Sequence, residues 1–118
     1  RPHRHLHPPK DETYLVVRGA LGLVLFDASG AVAATRRLSA AAGEAFGVDL
    51  PARVLHTVVA LEEGTVFFEV KAGPYAPSCG DDVPPWAPAE SARVMACAAT
   101  TGEPAATAYE ARLRALFP

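Results

Sequence analysis

Cysteine is nearly absent: Cys79 and Cys97 are the only two, too few for a disulfide framework. A single bridge between them is open to the chain but not needed at this size, so free thiols in a cytoplasmic protein are expected. Long hydrophobic runs are also missing. No stretch of about 18 uninterrupted apolar residues exists, so nothing reads as a membrane span; the longest run, 20–26, is strand-sized. Excess positive charge is lacking too. The formal net charge is −2, whereas a nucleic-acid module usually carries a basic patch. Membrane and nucleic acid therefore drop out as expected partners. No glycine-rich phosphate loop, Ser/His/Asp arrangement, internal repeat or signal peptide is legible. The chain opens on Arg1 inside what reads as a working motif, so residues upstream are expected.

What is present fits a single domain. The 118 residues are half hydrophobic and 20% charged, enough for one barrel or sandwich core but not two. Residues 12–71 read as short strands at intervals of about 8 to 12 residues without intervening helices, which argues for an all-β sandwich or barrel. Thr13–Arg18 is β-branched and aromatic, and Leu21–Phe26 resumes after Gly19. Asp27-Ala-Ser-Gly30 signals a turn, with Ala31–Leu38 as its return strand. Glu44–Leu50 is a weaker strand ended by Pro51, and Val54–Leu61 with Thr65–Lys71 form a second hairpin. After Gly73, prolines at 74, 77, 84, 85 and 88 exclude regular structure over most of 73–90. This segment is expected to wrap the barrel, with Tyr75 and Trp86 as packing anchors, or as stacking groups for a ligand. A short strand at 92–98 and a helix at 104–117 complete the expected order. The boundaries are a barrel with its wrap over 1–98 and a helical tail over 99–118.

Histidine is scarce as well, and its placement is informative. His3, His5 and His7 crowd the first seven residues, and the fourth, His56, lies far downstream. Imidazole and carboxylate are ligands that borderline divalent transition metals prefer. A His-x-His on a strand puts both rings on one face. Two histidines, Glu12 and a distant histidine can converge if the chain between them closes up. Pro8 and Pro9 follow His7 directly and favour a bend there, which leaves His7 at a strand end or in a loop near a pocket rim. The alternative, a solvated histidine arm, leaves Glu12 in a strand beside Tyr14 and Val16 without a partner.

The spacing of these residues resembles the motifs of the cupin superfamily. His-x-His, Glu12 and Gly19 resemble the first motif; Pro51 and His56 resemble the second. His5-x-His7 with four residues before Glu12 matches the general cupin spacing. His3-x-His5 with six residues before Glu12 matches a narrower group, the WbuC-type cupin-fold metalloproteins. The second register is preferred because further blocks resemble that group: Pro2-His-Arg-His5, Lys10-x-Glu12, Val17-Arg-Gly19, Leu23-x-Leu-Phe-Asp27, His56–Glu62, Phe68–Lys71, Gly73-Pro-Tyr75 and Trp86–Glu90. The resemblance implies a jelly-roll (double-stranded β-helix) barrel and one divalent metal, Fe, Mn, Zn or Ni, on His3, His5, Glu12 and His56. Departures exist. Arg53 stands where the second motif usually has glycine, Ala60 where it has asparagine, and Asp11 where the narrower group has an aromatic residue.

Four further residues are pocket candidates: His7, Lys10, Glu69 and Lys71. Thr65, Phe67, Glu69 and Lys71 share one face of their strand, and the pattern alone favours that face toward solvent. Lys10 either holds an anionic ligand at the pocket mouth or is a surface lysine. Three function classes follow: a binder of a small sugar or acid, associated through the WbuC resemblance with bacterial surface-polysaccharide (O-antigen) loci; a metal-dependent dioxygenase, isomerase or lyase; or a structural metal site. His and Glu ligands favour an open site over a closed structural one. A homodimer is compatible with the fold, but no interface is legible.

Overall fold

Alternating inward and outward side chains turn residues 12–71 into six strands: β1 (Glu12–Arg18), β2 (Ala20–Phe26), β3 (Val32–Ser39), β4 (Gly47–Leu50), β5 (His56–Ala60) and β6 (Val66–Lys71). The structure is a computed structural model that describes residues 1–78, 80–88 and 103–118, with the side chains of 108–118 in the last segment. The fold is mostly β. Two antiparallel three-stranded sheets, ordered β4-β1-β6 and β3-β2-β5, face each other. Among the described residues no ladder joins them into one closed barrel.

Between the sheets lie Tyr14 and Val16 from β1, Leu21 and Leu23 from β2, Leu38 and Leu50. β2 is buried along almost its whole length because its other face is covered too. There Val24, Phe26, Leu55 and Val59 pack with Leu113 of α1 (Glu103–Arg114). Burying a side chain of this size is worth about 1.5–3 kcal/mol, so both faces of β2 hold the fold together. Trp86 closes the second cluster, its ring 5.2 Å from that of Phe26 and its Nε1–H donating to the Ala28 carbonyl.

Turn chemistry sets the hairpins. Asp27 Oδ1 accepts from the backbone N–H groups of Ser29 and Ala31, and Gly30 takes a positive φ of 92°, as an Asx-type turn requires. β4 is shorter than the expected strand from Glu44, because Glu44 closes a turn onto the Ala41 carbonyl. β5 starts at His56 rather than Val54, and α1 ends at Arg114, with Leu116 and Phe117 in a following turn. The Pro-rich segment holds one short 3-10 turn, Gly80–Asp82. The expected strand at 92–98 and both cysteines lie outside the described residues.

Two expectations are corrected. Tyr75 is no packing anchor: it is 85% exposed. The Thr65/Phe67/Glu69/Lys71 face turns toward the core and the site rather than away from them, although Glu69 and Lys71 remain exposed there. Phe67 packs on the core and Lys71 stands directly opposite Glu12. Val66, Phe68 and Val70 take the outer face and stay exposed. The register with β1 decides this, because a buried carboxylate on β1 draws the cation of the facing strand inward.

Candidate metal centre

Glu12 opens β1 on the face shared by Tyr14 and Val16, and is only 1% exposed. His56 opens β5 in the other sheet and is 2% exposed. The first residues run alongside β5. His3 and His56 exchange both backbone hydrogen bonds at 3.0 Å in an isolated antiparallel bridge. The 3-10 turn holds the other flank of this arm. Arg4 N–H donates to the Asp82 carbonyl, and Leu6 N–H to Asp82 Oδ1, each at 2.9 Å. His3 and His5, alternating along an extended segment, are thereby turned to one side.

Ligand atoms of His3, His5 and Glu12 all lie within 4.8 Å of one another, a group that could hold a metal ion. His56 Nε2 is 2.8 Å from Glu12 Oε2, and its ring is 4.6 Å from that of His3 but 6.4 Å from that of His5. His7 stands apart, exposed, ahead of the two prolines. The tautomers are set by backbone. His3 Nδ1 donates to the Arg1 carbonyl at 3.1 Å and His56 Nδ1 to the Val54 carbonyl at 2.8 Å. Each Nε2 is then left with its lone pair, the form in which imidazole ligates metals.

Glu12 divides its two oxygens. Oε1 accepts from Lys71 Nζ at 3.1 Å. Oε2 lies 2.8 Å from His56 Nε2 and 3.4 Å from His5 Nε2, and the buried His5 nitrogen has no hydrogen-bond partner among the described residues. An unpaired buried polar atom costs about 1–3 kcal/mol, and an imidazole nitrogen facing a carboxylate oxygen at this spacing makes room for a shared cation. Burial pushes the Glu12 carboxyl up, but His56, Glu69 and Lys71 around it hold it well below the usual carboxylate range. His3 is pushed down to about 4, first by burial and then by neighbouring His56. Both groups therefore sit in their ligating forms near neutral pH. Burial and the Glu12 charge push the Tyr14 phenol up, so it stays protonated, 3.2 Å from His56 Nε2.

Beside this group opens a cavity of about 390 Å³ whose wall includes His5, His7, Lys10, Glu69 and Lys71. His5 belongs to both the group and the wall, and Lys71 links the wall to Glu12. Proximity to Glu12 and burial push the Glu69 carboxyl up, while Glu69 and Glu12 hold the Lys71 ammonium up against the effect of burial. Tyr14 and Asp82 escaped the sequence reading. Tyr14 carried a usable signal, two residues from Glu12 on the same strand face. Asp82 lies in a Pro-rich segment without periodicity and carried none.

A family model described as a domain of unknown function (DUF6016) matches residues 1–38, the stretch that carries His3, His5 and Glu12. No curated protein and no solved structure matches the chain. No helix among the described residues is long and apolar enough to cross a membrane.

Proposed function

We propose that the chain is a cupin-type metalloprotein that holds one divalent transition metal (Fe, Mn, Zn or Ni) on His3, His5, Glu12 and His56. The observation that carries this reading is the convergence of ligand atoms of His3, His5 and Glu12 within 4.8 Å of one another, with the buried His5 Nε2 lacking a hydrogen-bond partner among the described residues. The backbone-anchored Nδ1 atoms of His3 and His56 support it, since ligating histidines usually donate their other N–H to a carbonyl or carboxylate. Strand pairing supports the jelly-roll reading. The β2–β3 hairpin is flanked by the β1–β4 pair, and that by the His3 bridge to β5, three nested antiparallel pairs that alternate between the two sheets. A long hairpin wound in this way is a jelly roll. Arg53 adds a local argument: it takes φ +76° at the position where the cupin motif has glycine.

A bound metal of this kind supplies Lewis acidity at an open coordination position. The adjoining cavity favours such an open site over a closed structural one, and with it the alternative of a metal-dependent enzyme acting on a small acid or sugar. Glu69 and Lys71 at the cavity wall are placed to hold or move a proton there. The blocks that resemble WbuC-type proteins are what supports a role beside bacterial surface-polysaccharide (O-antigen) metabolism.

Elemental analysis of protein purified without added metal tests the reading. One first-row metal per chain is expected, and His5→Ala and Glu12→Gln should each lose most of it. Full metal retention by either folded variant would sink the assignment.

A further inference from the structure

Lys10 presents a problem that the metal centre does not solve. It is 9% exposed, and its ammonium donates to the Pro74 carbonyl. Among the described residues no carboxylate pairs with it. An ammonium has three donors, and a buried charge is normally paired because desolvation is costly. Lys71, the other lysine on the cavity wall, is matched. Lys71 is shared between Glu12 and Glu69, and Asp82 Oδ1 accepts the Leu6 N–H. Lys10 lines the cavity that also borders His5, so a counter-ion entering from solvent could reach it.

We propose that this cavity binds a small organic acid, with its carboxylate on the Lys10 ammonium. A monoanion suits the wall better than phosphate, because one unmatched cation stands there together with the carboxylates of Glu69 and Asp82. A neutral sugar would leave the ammonium unpaired. The volume, about 390 Å³, suits a small molecule. Tyr75, exposed and on the same wall, offers an aromatic surface beside the Pro74 carbonyl that fixes Lys10. The Lys10 contact stands on its own and does not rest on the metal reading.

The test is calorimetric titration of the full chain, as purified and after chelation, with lactate, its neutral isostere lactamide, inorganic phosphate and glucose. Lactate should bind in both preparations, lactamide and glucose at least about tenfold more weakly, as expected for loss of a charge-assisted hydrogen bond. Lys10→Gln should weaken lactate by a similar factor while leaving the metal content unchanged, and Lys10→Arg should restore part of the affinity. Equal binding of lactate and lactamide to the unaltered chain would overturn the proposal, as would phosphate binding more tightly than lactate, or undiminished lactate affinity in Lys10→Gln. Metal content measured on the same samples scores the metal reading separately. A chain that retains no metal yet binds lactate through Lys10 would refute that reading and uphold this one.

Discussion

Arg53 occupies the left-handed region at φ +76°, where a Cβ crowds the backbone at a cost of roughly 1–2 kcal/mol. Glycine avoids that crowding but gives back part of the gain through its freedom in the unfolded chain. Arg53→Gly should therefore raise stability by about 0.5–1 kcal/mol in urea denaturation, and Arg53→Val should lower it. Gly19 is the opposite case. At φ +74°, a Cβ there would stand 2.6 Å from Thr65 Oγ1. That hydroxyl cannot retreat freely, because it donates to the Glu62 carbonyl at 2.8 Å and bonds the backbone of Ala20. Gly19→Ala should cost about 2 kcal/mol or more, and an unchanged denaturation midpoint would contradict the account.

At the scale of elements, the decisive piece is the N-terminal arm, which has few internal hydrogen bonds and is held by its neighbours. Terminal segments fray unless tied down, and this one is tied to β5 by the His3 bridge and to the 3-10 turn by Asp82. Asp82→Ala removes the side-chain acceptor for Leu6 N–H and should lower metal affinity about tenfold, as loss of a supporting group around a metal site commonly does. Competition with a chromogenic chelator would measure it, and unchanged affinity would show that the bridge alone suffices. The strands themselves were legible, since β-branched and aromatic runs separated by Asp-Ala-Ser-Gly30, Pro51 and Glu-Glu-Gly64 leave little choice. Their orientation was less so. Alternation tells which residues of β6 share a face, not which face turns inward; the pairing of Lys71 with Glu12 settled that. The strand from Glu44 shortened for a similar reason, a local turn having displaced pairing.

In the whole molecule, two sheets bury the centre and α1 covers the outer face of β2 and β5, so the site's ionisable groups are desolvated by both sheets at once. This sets an acid dependence. His3 is pushed from its ordinary 6.5 down to about 4, first by burial and then by His56. The unfolded chain takes that proton first, so the contribution to stability is complete above pH 6.5 and shrinks as pH falls toward 4. Glu12 lies below its ordinary 4.5 despite burial, through His56, Glu69 and Lys71; its contribution is present above pH 4.5 and disappears as pH falls further. The melting temperature of the chelated protein should thus decline from pH 6.5 to 4 and more steeply below. A melting temperature that rose on acidification would be incompatible with this arrangement.

The sequence by itself determined the six strands, the turns between them, the presence of the C-terminal helix, and the residue types of the centre, because these follow from local propensity and from the chemistry of His and Glu. The sequence offered two registers for the histidines; the structure groups His3 and His5 with Glu12 and leaves His7 exposed. Only the tertiary structure decided which partners each group meets. It brought β1, β5 and the N-terminal arm together from opposite sheets, set the ring nitrogens through the Arg1 and Val54 carbonyls, and turned Lys71 inward. It also left Lys10 buried, its ammonium on the Pro74 carbonyl and without a carboxylate among the described residues. Burial and pairing are properties of contacts distant in the chain, and a local pattern of residues carries no measure of them.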